Sequence, residues 1–433
     1  MKRLSVIANQ QKMGTVEEGR KHLVFRYAPA WQAAPGSFPL STSMPLVQDE
    51  HPHAKIEPYL WNLLPDNPRV LEQWGKRFQV SHNHVFRLLE HVGEDCAGAI
   101  QFIPEALEAE LLDQNDQENV EWIDEADLAS RVSALLQDHG AQRTGADEGQ
   151  FSLAGAQPKT ALYQSPVTGQ WGIPRVQTPT THILKPASND FPGYAENEHF
   201  CLTLTAQLGI KTASSSVLHC HGVPVICVKR YDRYFKGERC YRIHQEDFCQ
   251  ARALPPSKKY QNEGGPSIED VANTIWDLSG KAREDIETFA RVLIVNFLIS
   301  GTDAHAKNYS LLIAGNNQVR LAPLYDISSA LPYPKKVSPH KARMAMKIGS
   351  KYKLKEIEAR HWETCSKHLR LKTKDFMEIF ETVCRQLPEA CAETSAKLLS
   401  QGLTHEVIET LTRSITERSE NVREQYFPSH FNL

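Results

Sequence analysis

Several features that would place this chain in a simple class are missing from its sequence. No apolar run is long enough to span a membrane, and residues 1–9 turn polar too soon after a basic pair for a signal peptide. The nine cysteines include no C-x-x-C pair, which argues against a disulfide framework or a zinc site. A net charge of −3 argues against a free-standing nucleic-acid binder. We therefore expect a cytoplasmic globular protein.

Length and hydrophobic patterning indicate several domains of mixed type. A chain of 433 residues with 41% hydrophobic and 23% charged residues suits two or three folded domains. Leu23, Phe25 and Tyr27 alternate with polar or smaller neighbours, which predicts a half-buried strand in a small β-rich domain. Residues 58–92 carry apolar residues at helical spacing. Residues 105–127 contain many acids but no Lys or Arg, which indicates the solvated face of short helices near a domain boundary.

The most informative pattern is the pair Asp303 and Asn308, followed by a second acid at Asp326. A spacing of five is that of the catalytic acid and the metal-binding amide in the catalytic loop of kinases. Asp303 would accept the proton of an attacking hydroxyl, Asn308 and Asp326 would bind Mg²⁺, and Lys307 would steady the transferred phosphate. D-x-x-x-x-N alone is a weak pattern. The alternative is that Gly301 ends a helix and the Asp and Asn are cap and turn residues.

A second candidate stretch, residues 151–162, runs from a loop of small residues into a β-like segment. Small side chains let backbone N–H groups approach phosphates, and Lys159 would add positive charge. The stretch lacks the Walker pattern G-x-x-x-x-G-K-[ST], and by itself it is also compatible with a simple hairpin.

Further along, Lys185 ends an apolar strand at residues 181–186 and is followed by a predicted helix containing Glu198. A lysine there is either an edge-strand gatekeeper or a phosphate-pairing lysine that needs a glutamate from the next helix. Residues 223–232 then indicate a buried strand that leads into a hinge.

Beyond this hinge the chain is predicted to be mainly helical. A helix near residues 286–299 carries apolar residues on all faces, so we expect it to be buried. Residues 335–355 hold eight Lys or Arg and no acid, and amphipathic helices continue to about residue 426. The basic run is either a solvated loop or a surface for an acidic partner or phosphates.

Five motifs, taken together, resemble the HipA family, the toxin kinases of HipBA toxin–antitoxin pairs. In order they are SLAGAQ at 152–157, TTHILK at 180–185, QEDFCQ at 245–250, DAHAKN at 303–308 and YDIS at 325–328. The similarity extends over nearly the whole chain and includes NLLPD at 62–66.

This resemblance implies an α+β, two-lobed fold related to protein kinases and lipid kinases. We expect a β-rich N-terminal domain at 1–145 and a kinase core at 146–433, with its nucleotide-binding β part at about 146–240 and its helical lobe at about 241–433. The implied cofactors are ATP and Mg²⁺. The implied catalytic residues are Asp303, Asn308, Asp326 and Lys185. The implied ATP-binding residues are Ala154, Gly155, Ala156, Gln157, Pro158, Lys159, Lys185, Lys229, Arg230, Tyr231, His305, Ala306, Lys307, Asn308, Tyr325 and Asp326.

The sequence departs from the family pattern at two of these positions. Lys229 stands where the family often has an acid, and Pro158 where it often has Glu. At both positions we expect the backbone, rather than the side chain, to contact the nucleotide. The resemblance also implies that Ser152 is autophosphorylated. About two added negative charges would expel the loop from the phosphates, although the serine alone is equally a turn hydroxyl.

The family further implies a helix-turn-helix antitoxin and, through it, operator DNA as partners. Lys367 and Arg370 are similar to positions that touch DNA phosphates, and we expect both on a helix after the kinase core. The implied substrate is a protein, with family analogy pointing to an aminoacyl-tRNA synthetase. Two alternatives stay open: a non-catalytic co-repressor or pseudokinase, and a kinase for a small metabolite or lipid.

Overall fold

The computed structural model describes residues 2–20, 22–113, 119–137, 152–175, 178–187, 190–316 and 318–428, without the side chain of residue 113. The predicted domain boundary near 145 and residue 151 lie outside this set. The strands are β1 (Lys2–Ala8), β2 (Gln11–Glu18), β3 (Leu23–Tyr27), β4 (Glu50–His51), β5 (Ile100–Pro104), β6 (Val120–Trp122), β7 (Thr160–Gln164), β8 (Trp171–Pro174), β9 (His182–Pro186), β10 (Ser215–Cys220), β11 (Val223–Lys229), β12 (Arg233–Lys236), β13 (Arg239–Arg242), β14 (His244–Asp247), β15 (Ser310–Ala314), β16 (Gln318–Leu321), β17 (Arg343–Ile348) and β18 (Lys351–Lys353). The helices are α1 (Pro29–Ala33), α2 (His53–Trp61), α3 (Pro68–Phe78), α4 (Val85–Val92), α5 (Glu108–Asp113), α6 (Glu125–Gln137), α7 (Tyr194–Gln207), α8 (Phe248–Ala251), α9 (Ile268–Leu278), α10 (Ala282–Leu298), α11 (Ala359–His368), α12 (Thr373–Ser400) and α13 (Glu406–Tyr426).

Contacts divide the chain into two compact units. The first comprises Met1–Pro186, His219–Pro256 and Leu311–Val319, and the second comprises Ala187–Leu218, Ser257–Ser310 and Arg320–Leu433. Both units are therefore assembled from separated stretches of sequence. Within the described residues, no helix combines the length and apolar character needed to cross a membrane.

The first unit contains the β-rich part of the molecule. One sheet has the strand order β4-β3-β2-β1-β5, and a second has the order β10-β11-β9-β7-β8-β6. In β3 the side chains of Leu23, Phe25 and Tyr27 are buried while Arg26 is exposed, which confirms the predicted alternation. Phe25 is paired with Val16 of β2, so the apolar face continues across the sheet. The predicted helical region at 58–92 is also confirmed, as α2, α3 and α4.

Five charged side chains are buried together in the first unit: Asp95, Arg230, Asp232, Arg233 and Arg242. Arg230 reaches both Asp95, at 3.2 Å, and Asp232, at 2.8 Å. Burial alone would raise the pKa of Asp232, but Arg230 and Arg233 more than offset this effect and hold that pKa below its ordinary value. We call these five residues the buried ion network.

The second unit is mainly helical. The C-terminal half of helix α10 is buried on nearly all faces, as the apolar residues near 286–299 predicted, whereas its first turn carries the exposed Arg283 and Glu284. Phe297 near its end packs against Trp362 of α11 and Phe380 of α12, with ring centroids 5.3 and 6.3 Å away. This aromatic cluster fixes the end of α10, and the candidate catalytic residues follow directly in the chain.

All nine cysteines of the protein are buried free thiols.

Candidate active site

Residues 301–308, which are predicted to be catalytic and which we call the catalytic loop, start with a turn at glycine. The N–H of Gly301 donates to the carbonyl of Asn296 at 2.7 Å. A Cβ on Gly301 would lie 2.5 Å from Oδ1 of Asn296, which is closer than real contacts allow. Glycine at this point therefore lets the chain leave α10 sharply and brings Asp303 to the surface.

Hydrogen bonds to one carbonyl hold the catalytic loop in shape. The carbonyl of Asp303 accepts from the N–H of His305 and from Nδ2 of Asn308, each at 2.8 Å. Because Nδ2 of Asn308 points toward Asp303, Oδ1 is the amide atom that can bind a cation. The five-residue spacing of Asp303 and Asn308 is therefore explained by this local hydrogen bond as well as by the phosphoryl-transfer chemistry predicted for the pair.

Asp326 adopts a left-handed backbone conformation, with φ of 57°. This conformation is uncommon for residues other than glycine, and such strain often marks functional sites. The preceding residue is held firmly, because the hydroxyl of Tyr325 donates to the carbonyl of Lys307 at 2.7 Å. One pocket in the second unit is lined by Asp303, Asn308 and Asp326 together. The structure therefore brings together three of the four residues predicted to be catalytic.

The donor atoms in this pocket suit a hard cation that is shared with phosphates. Asn308 offers an amide oxygen and Asp326 a carboxylate, both of which Mg²⁺ accepts. In the described part of the chain, no group of three or more His, Cys, Asp or Glu residues forms a metal site. Since two protein ligands do not make a cage, a cation here would take its remaining ligands from nucleotide phosphates and water.

The hydroxyl of Tyr260 donates to Oδ1 of Asp303 at 2.5 Å. The sequence pattern did not predict this contact, because Tyr260 lies 43 residues before Asp303 and no spacing rule connects the two. His305, Ala306 and Lys307 are buried in the loop. Whether these three contact ATP, as the resemblance implies, stays a prediction.

Residues 152–159, which the resemblance predicts to cover a nucleotide, lie in the first unit, and we call them the nucleotide loop. Ser152 is fully buried, and its hydroxyl donates to the carbonyl of Leu63 at 2.8 Å. Its N–H donates to the carbonyl of Asp95 at 2.9 Å, and Gly155 forms a bridge with Pro65. The segment NLLPD at 62–66 is therefore a docking site for this loop.

Lys159 folds back onto the nucleotide loop. Its Nζ donates to the carbonyl of Ala154 at 2.6 Å. Gly155 has φ of 106°, and a Cβ there would lie 2.4 Å from Nζ of Lys159. Glycine at position 155 thus leaves room for the side chain of Lys159. Ala156, Gln157 and Pro158 complete the loop, and their predicted contacts with ATP stay predictions.

The other candidate residues belong to strands or helices of separate units. Lys185 is buried in β9 of the first unit and is paired with Ile226 of β11. Glu198 is buried in α7 of the second unit. Their proposed pairing, like the predicted catalytic role of Lys185, stays a prediction.

The predicted hinge, residues 229–231, begins with the last residue of β11. The side chain of Lys229 is exposed, whereas Arg230 is buried in the ion network, and its N–H donates to the carbonyl of Thr181 at 2.9 Å. The hydroxyl of Tyr231 donates to Gln245. The side chain of Arg230 therefore has a structural role here, and hinge contacts with ATP at these positions stay a prediction.

The motif at 245–250 also has a structural role. Asp247 and Gln250 form a capping box at the start of α8. The carboxylate of Glu246 accepts from the N–H and the hydroxyl of Thr42, at 2.9 and 2.6 Å. Burial raises the pKa of Glu246 to about 7, although hydrogen bonds from Ser41 and Thr42 act in the opposite direction. The motif thus fixes the N-terminal segment near residue 42.

The predicted DNA-contact residues lie in the second unit. Lys367 is exposed on α11, but Arg370 lies beyond the end of that helix, where its Nη2 donates to Asn273 at 2.7 Å. The expectation that both lie on one helix is therefore wrong. In the basic run at 335–355, Lys336 pairs with Asp190, and Lys351 and Lys353 pair with Glu356.

Comparison with known proteins identifies the family. Residues 151–391 match the model of the HipA-like C-terminal domain, and residues 4–103 match that of the HipA N-terminal domain. The chain belongs to the HipA family. Members of this family include a toxin kinase, and the resemblance seen in the five motifs is confirmed.

Two relatives and one solved structure support the assignment. Y4mE of Sinorhizobium fredii, which is named as a kinase, is 35% identical over 79% of this chain and 80% of its own length. The serine/threonine-protein kinase toxin HipA of Shewanella oneidensis is 27% identical over 85% of this chain and 83% of its own. A structure of HipA from Shewanella oneidensis, solved with HipB and operator DNA, matches with a TM-score of 0.82 at 22% identity and covers 98% of this chain and 97% of the other. The predicted α+β kinase-like fold is confirmed.

The raised pKa of Glu246 predicts a pH-dependent stability. The folded state holds the proton up to about pH 7, whereas an unfolded glutamate loses it near pH 4.5, so the parent loses stability as the pH rises from about 4.5 to 7. Glu246→Gln keeps the acceptor oxygen for Thr42 without a charge. We expect the variant to gain on the order of 3 kcal/mol relative to the parent across this range. Urea unfolding at pH 5 and pH 8 measures the difference, and parallel pH profiles would show that Glu246 does not titrate there.

Proposed function

We propose that this chain is a protein serine/threonine kinase of a toxin–antitoxin pair that transfers the γ-phosphate of ATP to a protein. The supporting observation is the single pocket lined by Asp303, Asn308 and Asp326. These residues are the acid, the amide and the second acid that phosphoryl transfer requires. Membership of a family that contains a named serine/threonine kinase toxin agrees with this reading.

In this proposal Asp303 orients the acceptor hydroxyl and takes its proton. Asn308 and Asp326 hold Mg²⁺, which neutralises charge on the phosphate oxygens when it is bound. Lys307 steadies the transferred phosphate. For the first unit, the proposal keeps the ATP-binding residues that the family implies: the nucleotide loop, Lys185, and the backbone of Lys229, Arg230 and Tyr231.

The proposed protein substrate is an aminoacyl-tRNA synthetase, whose inhibition would stop translation. This choice rests on family analogy alone. The proposed partners are a HipB-like antitoxin and operator DNA, and they are supported by the Shewanella HipA structure, which was solved with both. We further propose that the chain acts in the cytoplasm and that its complex with the antitoxin represses transcription.

One experiment distinguishes the proposed protein kinase from two alternative functions. A pseudokinase would act only as a co-repressor, and a small-molecule or lipid kinase would transfer phosphate to a non-protein acceptor. Radiolabelled ATP and the purified chain, added to a cell lysate, discriminate the three. Label in a protein band supports our proposal, whereas label in lipid or a small metabolite, or no transfer, overturns it.

Asp303→Asn tests the catalytic assignment. The amide cannot accept the proton from the acceptor, so we expect phosphoryl transfer to fall by roughly 10²-fold or more while the fold is kept. Glu378→Gln, which neutralises an exposed carboxylate of α12, is the matched control. Initial rates of label transfer from ATP measure the effect. A rate equal to that of the parent would exclude Asp303 as the base.

Phosphorylation of Ser152 is proposed to switch the kinase off. Ser152 is fully buried against Leu63, so a phosphate at this position cannot fit and the nucleotide loop must leave its docking site. We expect the phosphorylated protein to bind ATP more weakly than the unmodified one. Calorimetric titration with ATP compares the two forms. Ser152→Ala, treated identically, is the control, and equal affinity in both forms of the parent would refute the switch.

Lys367 and Arg370 test the proposed repression role. If both contact operator phosphates in the antitoxin complex, replacing them with Ala should weaken DNA binding modestly and leave kinase activity intact. The log–log salt slope should become shallower by up to about two. Lys374→Ala with Arg385→Ala removes two exposed charges from α12 as a control. Superimposable slopes for parent and variant would assign Lys367 and Arg370 to an ordinary solvated surface.

A further inference from the structure

The side chain of Asp303 has a defined partner within the second unit. The hydroxyl of Tyr260 donates to its Oδ1 at 2.5 Å, which is a short hydrogen bond to an acceptor that carries charge when ionised. We propose that Tyr260 is a positioning residue that holds the carboxylate of Asp303 in the orientation required to accept the proton of the acceptor hydroxyl. This proposal rests on the proposed kinase function.

The catalytic loop alone does not fix this carboxylate. The hydrogen bonds from His305 and Asn308 end on the backbone carbonyl of Asp303, so they fix the main chain and leave the side-chain torsions undetermined. Asp303 is also exposed, and exposed side chains change rotamer on a picosecond to nanosecond timescale. A base that must meet a hydroxyl at hydrogen-bonding distance therefore needs a second constraint. The phenol of Tyr260 provides it.

A carboxylate has two oxygens, and the contact with Tyr260 uses only Oδ1. The other oxygen, Oδ2, keeps its full capacity to accept from the acceptor hydroxyl. This arrangement is the general one in which a base is oriented by a third group that does not itself react.

Tyr260 is held rigidly enough for such a role. Its ring packs edge-on against His305, with centroids 5.0 Å apart, and the carbonyl of Lys259 accepts from the N–H of Ala306 at 3.2 Å. The next residue, Gln261, accepts from the N–H of Lys347 through Oε1 at 2.7 Å. Tyr260 is thus fixed on both sides, by the catalytic loop and by β17.

The turn after Tyr260 adds a further constraint. The carbonyl of Tyr260 accepts from the N–H groups of Glu263 and Gly265, each at 3.0 Å. A Cβ at Gly265 would lie 2.2 Å from the carbonyl oxygen of Lys258 and 2.7 Å from that of Tyr260, so the turn can close only around glycine. The backbone of Tyr260 therefore has little freedom.

The hydrogen bond between Tyr260 and Asp303 has an alternative interpretation, in which it inhibits the reaction. If the phenol occupied the place of the acceptor hydroxyl, it would compete with the acceptor, and its removal would raise the rate. Positioning predicts the reverse, because loss of the hydroxyl would release Asp303. The sign of the rate change therefore decides between them.

Tyr260→Phe removes the hydroxyl and keeps the ring against His305. We expect the rate of label transfer from radioactive ATP to the chain itself, at saturating ATP, to fall by roughly 10- to 100-fold, the value of one hydrogen bond to a charged group. The KM for ATP should not change, since Tyr260 acts on the base. Tyr352→Phe, a phenol of β18 in the same unit, is the matched control and should label at the parental rate.

A double-mutant cycle separates positioning from a general structural effect. In an Asp303→Asn background, Tyr260→Phe should have little further effect on the residual rate, because the hydroxyl acts through the carboxylate. An equal loss in both backgrounds, an unchanged rate or a faster rate would each overturn the proposal. If the parent labels neither itself nor any protein of a cell lysate, the proposed kinase function fails first and the role of Tyr260 fails with it. That result is visible before any variant is compared.

Discussion

The first unit depends on the buried ion network of Asp95, Arg230, Asp232, Arg233 and Arg242. An isolated charge cannot be buried without a large loss of hydration free energy, so each of these side chains is tolerated only because the others compensate it. Removing one member of such a group typically costs about 3–5 kcal/mol, since its partners are left charged and buried. The network therefore acts as a geometric constraint more than as a source of net stability. Its members come from three separated stretches of chain, which must all be in place together.

The parts of the first unit proposed to bind ATP are attached to this network. The backbone carbonyl of Asp95 accepts from the N–H of Ser152, at the start of the nucleotide loop. Its carboxylate accepts from the hydroxyl of Thr180, which precedes the strand that carries Lys185. Arg230 is itself part of the predicted hinge. A disturbance of the network would therefore affect the loop, the strand and the hinge together. The motif at 245–250 also contacts the network, because Nε2 of Gln245 donates to Oδ2 of Asp232 at 3.2 Å.

Local sequence rules predicted several elements and the spacing of Asp303 and Asn308 within one loop. Helix α10, strand β3 and the loop from Asp303 to Asn308 were all foreseen, because periodicity and short spacings reflect contacts within a few residues. The partners of Asp95 and the contact between Tyr260 and Asp303 were not foreseen. Their members are separated by many residues, and only the folded chain decides which of many polar side chains meet. Resemblance to a family located the motifs but did not say which of their side chains have structural roles.

Arg230 and Lys159 show why residue roles are harder to transfer than folds. Both are cations at positions expected to surround a nucleotide, yet Arg230 is committed to buried carboxylates and Lys159 donates to its own loop at Ala154. A nucleotide phosphate would have to compete with the carbonyl for Lys159, whereas Arg230, if it moved, would leave Asp95 and Asp232 buried with one counter-charge fewer. The first exchange would replace a hydrogen bond to a neutral carbonyl by an ion pair with a phosphate, whereas the second would remove a buried counter-charge. We therefore propose that Lys159 is the cation of this pair that contacts ATP, while the side chain of Arg230 has a structural role.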